Sequence, residues 1–179
     1  MLKNLRILLM AMLLLAPSLV QPLELPPLRP AQPPHLRAPK ALLKQILRNH
    51  PELKWSYAVE LANTFDSAAR AGAVPARHVA AIAMQESGYV LDAKQCYKIH
   101  GRIRCDFCMM QINDHTIKRY GFDQDRLMKD LPYCVGAGVQ VLSDLKKRYG
   151  KREKDYWSRY NAVSPDKREN YRQLVERFL

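Results

Sequence analysis

Glu86 is the side chain whose place in the sequence best suits acid–base chemistry. It lies near the end of the run Ala83-Met84-Gln85-Glu86-Ser87-Gly88, seven residues after Val79. On a helix this spacing places Glu86 on the same apolar face as Val79 and Ile82, and Gly88 is typical of a helix C-terminus. Burial and the negative end of the helix dipole both favour a protonated carboxyl group, which is what a general acid requires. The alternative is a solvated glutamate in the last turn of an amphipathic helix.

Three segments divide the chain of 179 residues. Residues 1–20 read as a secretory signal peptide, because basic residues precede an apolar run that is too short to span a bilayer comfortably. Residues 21–40 are rich in proline and predict an extended tether, and residues 41–179 predict one folded domain. Export to the periplasm is therefore expected. An uncleaved inner-membrane anchor is the alternative, since Ala16-Pro17-Ser18 matches a cleavage site only loosely.

The net charge of +12 predicts affinity for anionic surfaces. An exported protein meets cell-wall polymers and lipid headgroups, and we find no element that would read nucleic acid, so nucleic acid is not an expected partner. The five histidines show no ligand spacing. We therefore predict no metal site and no cofactor.

Apolar periodicity predicts a mainly α domain. The predicted helices cover Leu53–Ala71, the segment from Pro75 to Glu86, Val135–Tyr149, and the segment after Ser164-Pro165. Gly136 and Gly138 disfavour a helix, so close packing against a neighbour is the expected compensation. Between Cys96 and Cys105, basic and apolar residues alternate about Gly101, which predicts a small hairpin.

The four cysteines are even in number and lie in a chain that is predicted to be exported, which favours disulfides. Three connectivities can be drawn, and the preferred one joins Cys96 to Cys105 and Cys108 to Cys134. Zinc is the alternative, because Cys105 and Cys108 have C-x2-C spacing, but a second ligand pair at short spacing is missing.

Five short blocks then follow in a characteristic order. They are Glu86-Ser87, Asp106-Phe107-Cys108-Met109-Met110-Gln111-Ile112-Asn113, Tyr133-Cys134-Val135-Gly136-Ala137-Gly138, Trp157-Ser158-Arg159-Tyr160-Asn161 and Tyr171-Arg172-Gln173-Leu174-Val175. This order resembles the lysozyme-like lytic transglycosylases of the soluble lytic transglycosylase type. It is most similar to the small exported members associated with conjugation and with type III or IV secretion systems. The resemblance implies a goose-type lysozyme-like α domain with a small β-hairpin, stapled by disulfides.

The resemblance also implies a reaction and its partners. Such enzymes cleave the β-1,4 bond between N-acetylmuramic acid and N-acetylglucosamine and leave 1,6-anhydro-muramic acid ends. Glu86 would act first as acid and then as base, assisted by the substrate's own N-acetyl group. The expected partners are peptidoglycan glycan strands and components of a secretion or conjugation machine, with the protein acting as a monomer.

Further site residues follow from the matching positions. Ser87 would help to fix Glu86, Met110 and Gln111 would line the substrate groove, and Tyr160 and Asn161 would face Glu86 across the cleft. Tyr171 would lie near the acid. The competing interpretations are a helix-end hydroxyl for Ser87, core packing for Met110 and Tyr171, and a structural amide for Gln111.

Two other functions remain open. A hydrolysing muramidase would need a second carboxylate, for which Asp92 and Asp106 are the candidates. Cys108 stands where the family has glycine, so a catalytically impaired binding or scaffold protein is the other alternative.

Overall fold

A computed structural model describes residues 38–99, 101–161 and 164–179 of the protein. The predicted signal peptide and nearly all of the predicted tether lie outside the described residues. Within the described part, the α-helices are α1 (Lys40–Asn49), α2 (Trp55–Ala71), α3 (Ala76–Ser87), α4 (Asp114–Tyr120), α5 (Gln124–Leu127), α6 (Leu131–Tyr149) and α7 (Pro165–Glu176). The strands are β1 (Lys94–Ile99), β2 (Arg102–Phe107) and β3 (Ile112–Asn113), and a 3₁₀ helix covers Tyr156–Tyr160. The prediction of a mainly α fold with a small hairpin is confirmed.

Helix α3 occupies the centre of the fold. Its residues from Val79 to Ala83 are completely buried, and α1, α2 and α7 pack against it. Pro75, the predicted first residue of this helix, takes the N-cap position instead, so the helix begins one residue later than predicted, at Ala76. Gly88 ends the helix in the left-handed conformation, with φ 62°, as its residue type predicted.

Three further helix starts differ from the prediction. Helix α2 begins at Trp55 and not at the predicted Leu53, because Leu53 belongs to the preceding turn, where its backbone N–H donates to the carbonyl of His50 at 3.2 Å. Helix α1 was not foreseen, because its short apolar stripe, with Leu42 and Ile46 as buried members, directly follows the proline-rich segment. Helix α6 begins at Leu131, four residues before the predicted start at Val135. The carboxylate of Asp130 caps it by accepting a hydrogen bond from the backbone N–H of Tyr133 at 3.0 Å.

The small sheet is antiparallel, in the order β1-β2-β3. Gly101, with φ 78°, lies at the turn of the predicted hairpin, and Cys96 faces Cys105 across it. The third strand, β3, was not predicted. It extends the sheet by pairing Ile112 with Phe107.

Both disulfides of the preferred connectivity are present. Cys96–Cys105 crosses the hairpin, and Cys108–Cys134 joins the end of β2 to α6. The first bridge closes a local turn. The second spans 26 residues and connects the sheet to the helical core.

The two glycines of α6 behave differently. A Cβ atom on Gly138 would lie 2.6 Å from Cε of Met110, so this glycine permits the close approach that was predicted. A Cβ on Gly136 would meet nothing within 4 Å, so the prediction of close packing is wrong there.

None of the helices in residues 38–99, 101–161 and 164–179 is both long and apolar enough to cross a bilayer.

Candidate active site

The side chain of Glu86 lies in the last turn of α3, half-buried where α7 and the 3₁₀ helix converge. Tyr171 of α7 donates a hydrogen bond from its hydroxyl to Oε1 of Glu86 at 2.5 Å. Asn161, which follows the 3₁₀ helix, donates from Nδ2 to both carboxylate oxygens, at 3.2 and 3.3 Å. Asn161 and Tyr171 follow Glu86 by 75 and 85 positions in the sequence, and both bind its carboxyl group.

Burial is the main influence on this carboxyl group. It raises the pKa of Glu86 above its ordinary value, and the nearby charge of Asp106 raises it further. The hydrogen bonds from Tyr171 and Asn161 favour the ionised form and oppose this shift, but the pKa remains raised. Glu86 is thus a group that can release a proton and then be stabilised as a carboxylate, which is what acid–base catalysis needs.

Two buried phenols surround the acid. Burial, with the charge of Glu86 added, raises the pKa of Tyr171 and of Tyr160 well above the usual range. Both therefore stay neutral and serve as hydrogen-bond donors. Tyr160 donates to the backbone carbonyl of Met110 at 2.8 Å rather than to Glu86, so it joins the 3₁₀ helix to the loop after β2.

That loop has a tight left-handed backbone. Cys108 has φ 61° and Gln111 has φ 45°. Gln111 closes the turn by donating from its backbone N–H to the Cys108 carbonyl at 3.0 Å. The cysteine at the family's glycine position therefore adopts a conformation that glycine favours, and its bond to Cys134 connects it to α6.

Three side chains do not lie as the resemblance implied. The side-chain amide of Gln111 donates to the carbonyls of Cys108 and Ala93, at 2.9 and 3.2 Å, so its N–H groups stabilise the turn. Met110 is completely buried against Gly138, so its side chain belongs to the core and not to the groove surface. Ser87 donates to the carbonyl of Ala83 at 3.3 Å, which is the helix-end role.

Asp106 is the carboxylate whose charge acts on Glu86 and raises its pKa. It accepts a hydrogen bond from the hydroxyl of Tyr97 at 3.4 Å, and burial raises its pKa. Asp92 has no such link to the acid: its charge acts on Tyr57. The structure thus brings one candidate for a second carboxylate towards the cleft.

An ion-paired cluster that sequence reasoning missed joins the 3₁₀ helix to α7, the two elements that position Asn161 and Tyr171. Glu153 accepts two hydrogen bonds from Arg159 at 2.7 Å and one from Arg168 at 2.9 Å. Arg159 belongs to the 3₁₀ helix that precedes Asn161, and Arg168 belongs to α7, which carries Tyr171. Glu153 and Arg168 are 15 positions apart in a stretch of mixed charges, so only their spatial convergence reveals the role.

Fold and site together define a lysozyme-like domain with the half-buried acid Glu86 in its cleft. The family model described as Transglycosylase SLT domain matches residues 63–175, which is more than half of the chain. The chain therefore belongs to the transglycosylase SLT domain family. The matched stretch runs from α2 to α7 and contains Glu86, Asn161 and Tyr171. No curated protein and no solved structure matches the chain.

Proposed function

We propose that the protein is a peptidoglycan lytic transglycosylase that cleaves the β-1,4 bond between N-acetylmuramic acid and N-acetylglucosamine. The observation that carries this proposal is the carboxyl group of Glu86, which has a raised pKa and accepts hydrogen bonds from Tyr171 and Asn161. Family membership supplies the substrate class.

In the first step Glu86 gives its proton to the glycosidic oxygen, and the bond between that oxygen and C1 of the muramic acid breaks. N-acetylglucosamine leaves with a free hydroxyl group. The new charge on Glu86 is stabilised by donors already in place, Tyr171 and Asn161, so little reorganisation is needed. The substrate's N-acetyl group stabilises the electron-poor C1.

In the second step the carboxylate of Glu86 takes the proton from the C6 hydroxyl of the same muramic acid. The oxygen of that hydroxyl bonds to C1, which closes the 1,6-anhydro ring and consumes no water. Glu86 is protonated again, so one carboxyl group serves as both acid and base.

Two alternatives make different use of the same site. A hydrolysing muramidase would need Asp106 to activate water, whereas an oxygen of this carboxylate already accepts a hydrogen bond from the hydroxyl of Tyr97. An impaired scaffold protein would need a disrupted loop at Cys108. The glycine-like φ of 61° supports an active loop instead.

Zymography on peptidoglycan and mass spectrometry of the released fragments test the proposal. We expect the wild type to clear peptidoglycan and to release 1,6-anhydro ends, and Glu86→Gln to lose activity by about 100-fold or more. Asp106→Asn is the matched control and should keep most of the activity. Reducing ends in place of anhydro ends, or equal losses in the two variants, would reject the mechanism.

We further propose that residues 1–20 direct export to the periplasm, that residues 21–40 form a tether, and that residues 41–179 form the enzyme domain. The role would be local opening of the wall for a secretion or conjugation apparatus. Deleting residues 22–39 should leave zymogram activity intact and abolish transfer or secretion, and normal transfer would argue against a recruiting tether.

A further inference from the structure

The outer side of α1 carries an apolar groove with a basic rim, far from the acid. Its volume is about 690 Å³. We call it the α1 patch, and its lining residues are Lys40, Leu43, Lys44, Leu47, Arg48 and Trp55. The side chain of Trp55 is 64% exposed, which is unusual for a residue with so large an apolar ring.

The core buries this side of α1 less completely than the opposite side. The opposite side buries Leu42, Gln45 and Ile46. Gln45 ties α1 to the start of α3 and to the C-terminus by donating to the carbonyls of Arg77 and Phe178, at 2.9 and 2.8 Å. With the helix anchored in this way, Trp55 is exposed and Leu43 and Leu47 are only partly covered by the core, so all three keep apolar surface open to solvent.

The charges of the patch are arranged in a line. Lys40, Lys44 and Arg48 recur every fourth residue and form one stripe beside the leucine stripe. Among the residues that the structure describes, no carboxylate lines the groove. Among the ion pairs of residues 38–99, 101–161 and 164–179, none involves these three cations.

We infer that the α1 patch docks on an anionic phospholipid surface. Cations beside leucines and a tryptophan match the boundary between headgroups and acyl chains, where basic residues meet lipid phosphate and tryptophan is favoured. A second copy of this chain fits poorly, because two-fold pairing would bring six unpaired cations together. A nucleic acid would use the charges and leave Trp55 and the leucines without apolar contacts.

Docking of this kind leaves the acid accessible. Helix α1 is anchored at Arg77 near the start of α3, whereas Glu86 lies in the last turn, about 14 Å further along the helix axis. A bound lipid surface and a glycan strand therefore use different parts of the domain. The inference goes beyond the proposed function and does not depend on it.

Vesicle binding tests the inference. The probes are vesicles of phosphatidylcholine with about one quarter phosphatidylglycerol, compared with phosphatidylcholine alone. The triple variant Lys40→Gln, Lys44→Gln, Arg48→Gln should bind the anionic vesicles about 100-fold more weakly than the wild type. Lys151→Gln, Arg152→Gln, Lys154→Gln is the matched control, since it removes the same charge from an exposed segment, and it should bind like the wild type. Every variant keeps the same N-terminal segment, so any contribution of that segment cancels.

Tryptophan fluorescence provides the second readout. The chain has two tryptophans, and Trp157 is only 5% exposed, so a shift to shorter wavelength on adding anionic vesicles reports mainly on Trp55. Trp55→Ala should abolish the shift and weaken binding by about tenfold. Circular dichroism and zymogram activity should be unchanged in these patch variants.

Several results would overturn the inference. Equal losses in both triple variants would show nonspecific charge attraction, and equal binding to neutral vesicles would remove the role of the cations. Binding without a fluorescence shift would place the contact elsewhere. A concentration-dependent dimer in analytical ultracentrifugation, abolished by Trp55→Ala, would assign the patch to a second copy of the chain.

Discussion

The hydroxyl of Tyr171 has a role that can be separated from the packing of its ring. Tyr171→Phe keeps the ring that packs against α3 and removes only the 2.5 Å hydrogen bond to Glu86. The expected consequences are a lower maximal rate and a displaced pH profile. These two effects have different physical origins.

The rate falls because the carboxylate formed in the first step loses its closest donor. A hydrogen bond to a charged group contributes about 1.5–3 kcal/mol, which corresponds to a loss of roughly 10- to 100-fold in kcat/KM. Asn161 still donates to both oxygens at longer distances, so the residual activity should exceed that of Glu86→Gln.

The pH profile moves because the hydrogen bond favours the ionised form. Burial already raises the pKa of Glu86, and the hydrogen bond from the hydroxyl of Tyr171 opposes this rise more strongly than the one from Asn161 does. Without the bond from Tyr171 the pKa rises further, so the protonated acid persists to higher pH. The alkaline limb of the kcat/KM profile should therefore shift towards higher pH.

The assay is release of anhydro-muropeptides from purified peptidoglycan, measured across pH. Tyr120→Phe is the matched control, since it removes a tyrosine–carboxylate hydrogen bond of 2.9 Å that joins Tyr120 to Asp144 and does not involve Glu86. An unchanged alkaline limb in Tyr171→Phe would show that the hydroxyl does not influence the pKa of Glu86, and an unchanged rate as well would show that Tyr171 acts only through the packing of its ring. A shift to lower pH would refute the electrostatic reasoning.

Three further predictions concern stability and are tested by denaturant or thermal unfolding. Gly138→Ala should destabilise the fold by about 1–3 kcal/mol through overpacking, whereas Gly136→Ala should stabilise it by up to about 1 kcal/mol through helix propensity. Replacing Cys108 and Cys134 by serine should lower the free energy of unfolding by about 3 kcal/mol, because the bridge closes a long loop. Glu86→Gln should raise stability at neutral pH: the pKa of Glu86 is raised in the fold, so the wild type loses stability as pH rises from 4.5 through the raised value.

Each of these has its own control. Equal destabilisation by the two glycine variants would contradict the role assigned to Met110. Serine at Cys96 and Cys105 should have a smaller effect, by about 1 kcal/mol, because that bridge spans only 9 residues. For Glu86→Gln, the gain in stability should vanish below the ordinary carboxyl pKa, and a gain that persists in acid would indicate a different cause.

Local patterns predicted much of the fold. The helical period placed Glu86 at the buried end of α3, and Gly88 and Gly101 marked a helix stop and a hairpin turn that the structure contains. These features depend on residues within a few positions of each other, which a sequence displays directly. The missed helix α1 shows the limit, because a short stripe next to a proline-rich segment gives little periodic signal.

The roles of individual side chains were harder to predict. Met110 and Gln111 lie in the turn that begins at Cys108. The family resemblance placed them in the groove, but it did not indicate how this turn is hydrogen-bonded and packed. The left-handed backbone needs the Gln111 amide as a donor, and the close approach of α6 encloses Met110. Both outcomes depend on how distant segments pack.

By itself the sequence determined that one acid stands at a helix end, on a buried face, within an ordered set of blocks that resembles a known family. Only the tertiary structure decided which groups reach that acid. Tyr171 and Asn161 approach Glu86 because α7 and the 3₁₀ helix pack across α3, with Glu153 pairing to an arginine on each. These two contacts join residues that are 75 and 85 positions apart in the sequence. Such contacts depend on how the helices pack, and a local sequence pattern does not specify that packing.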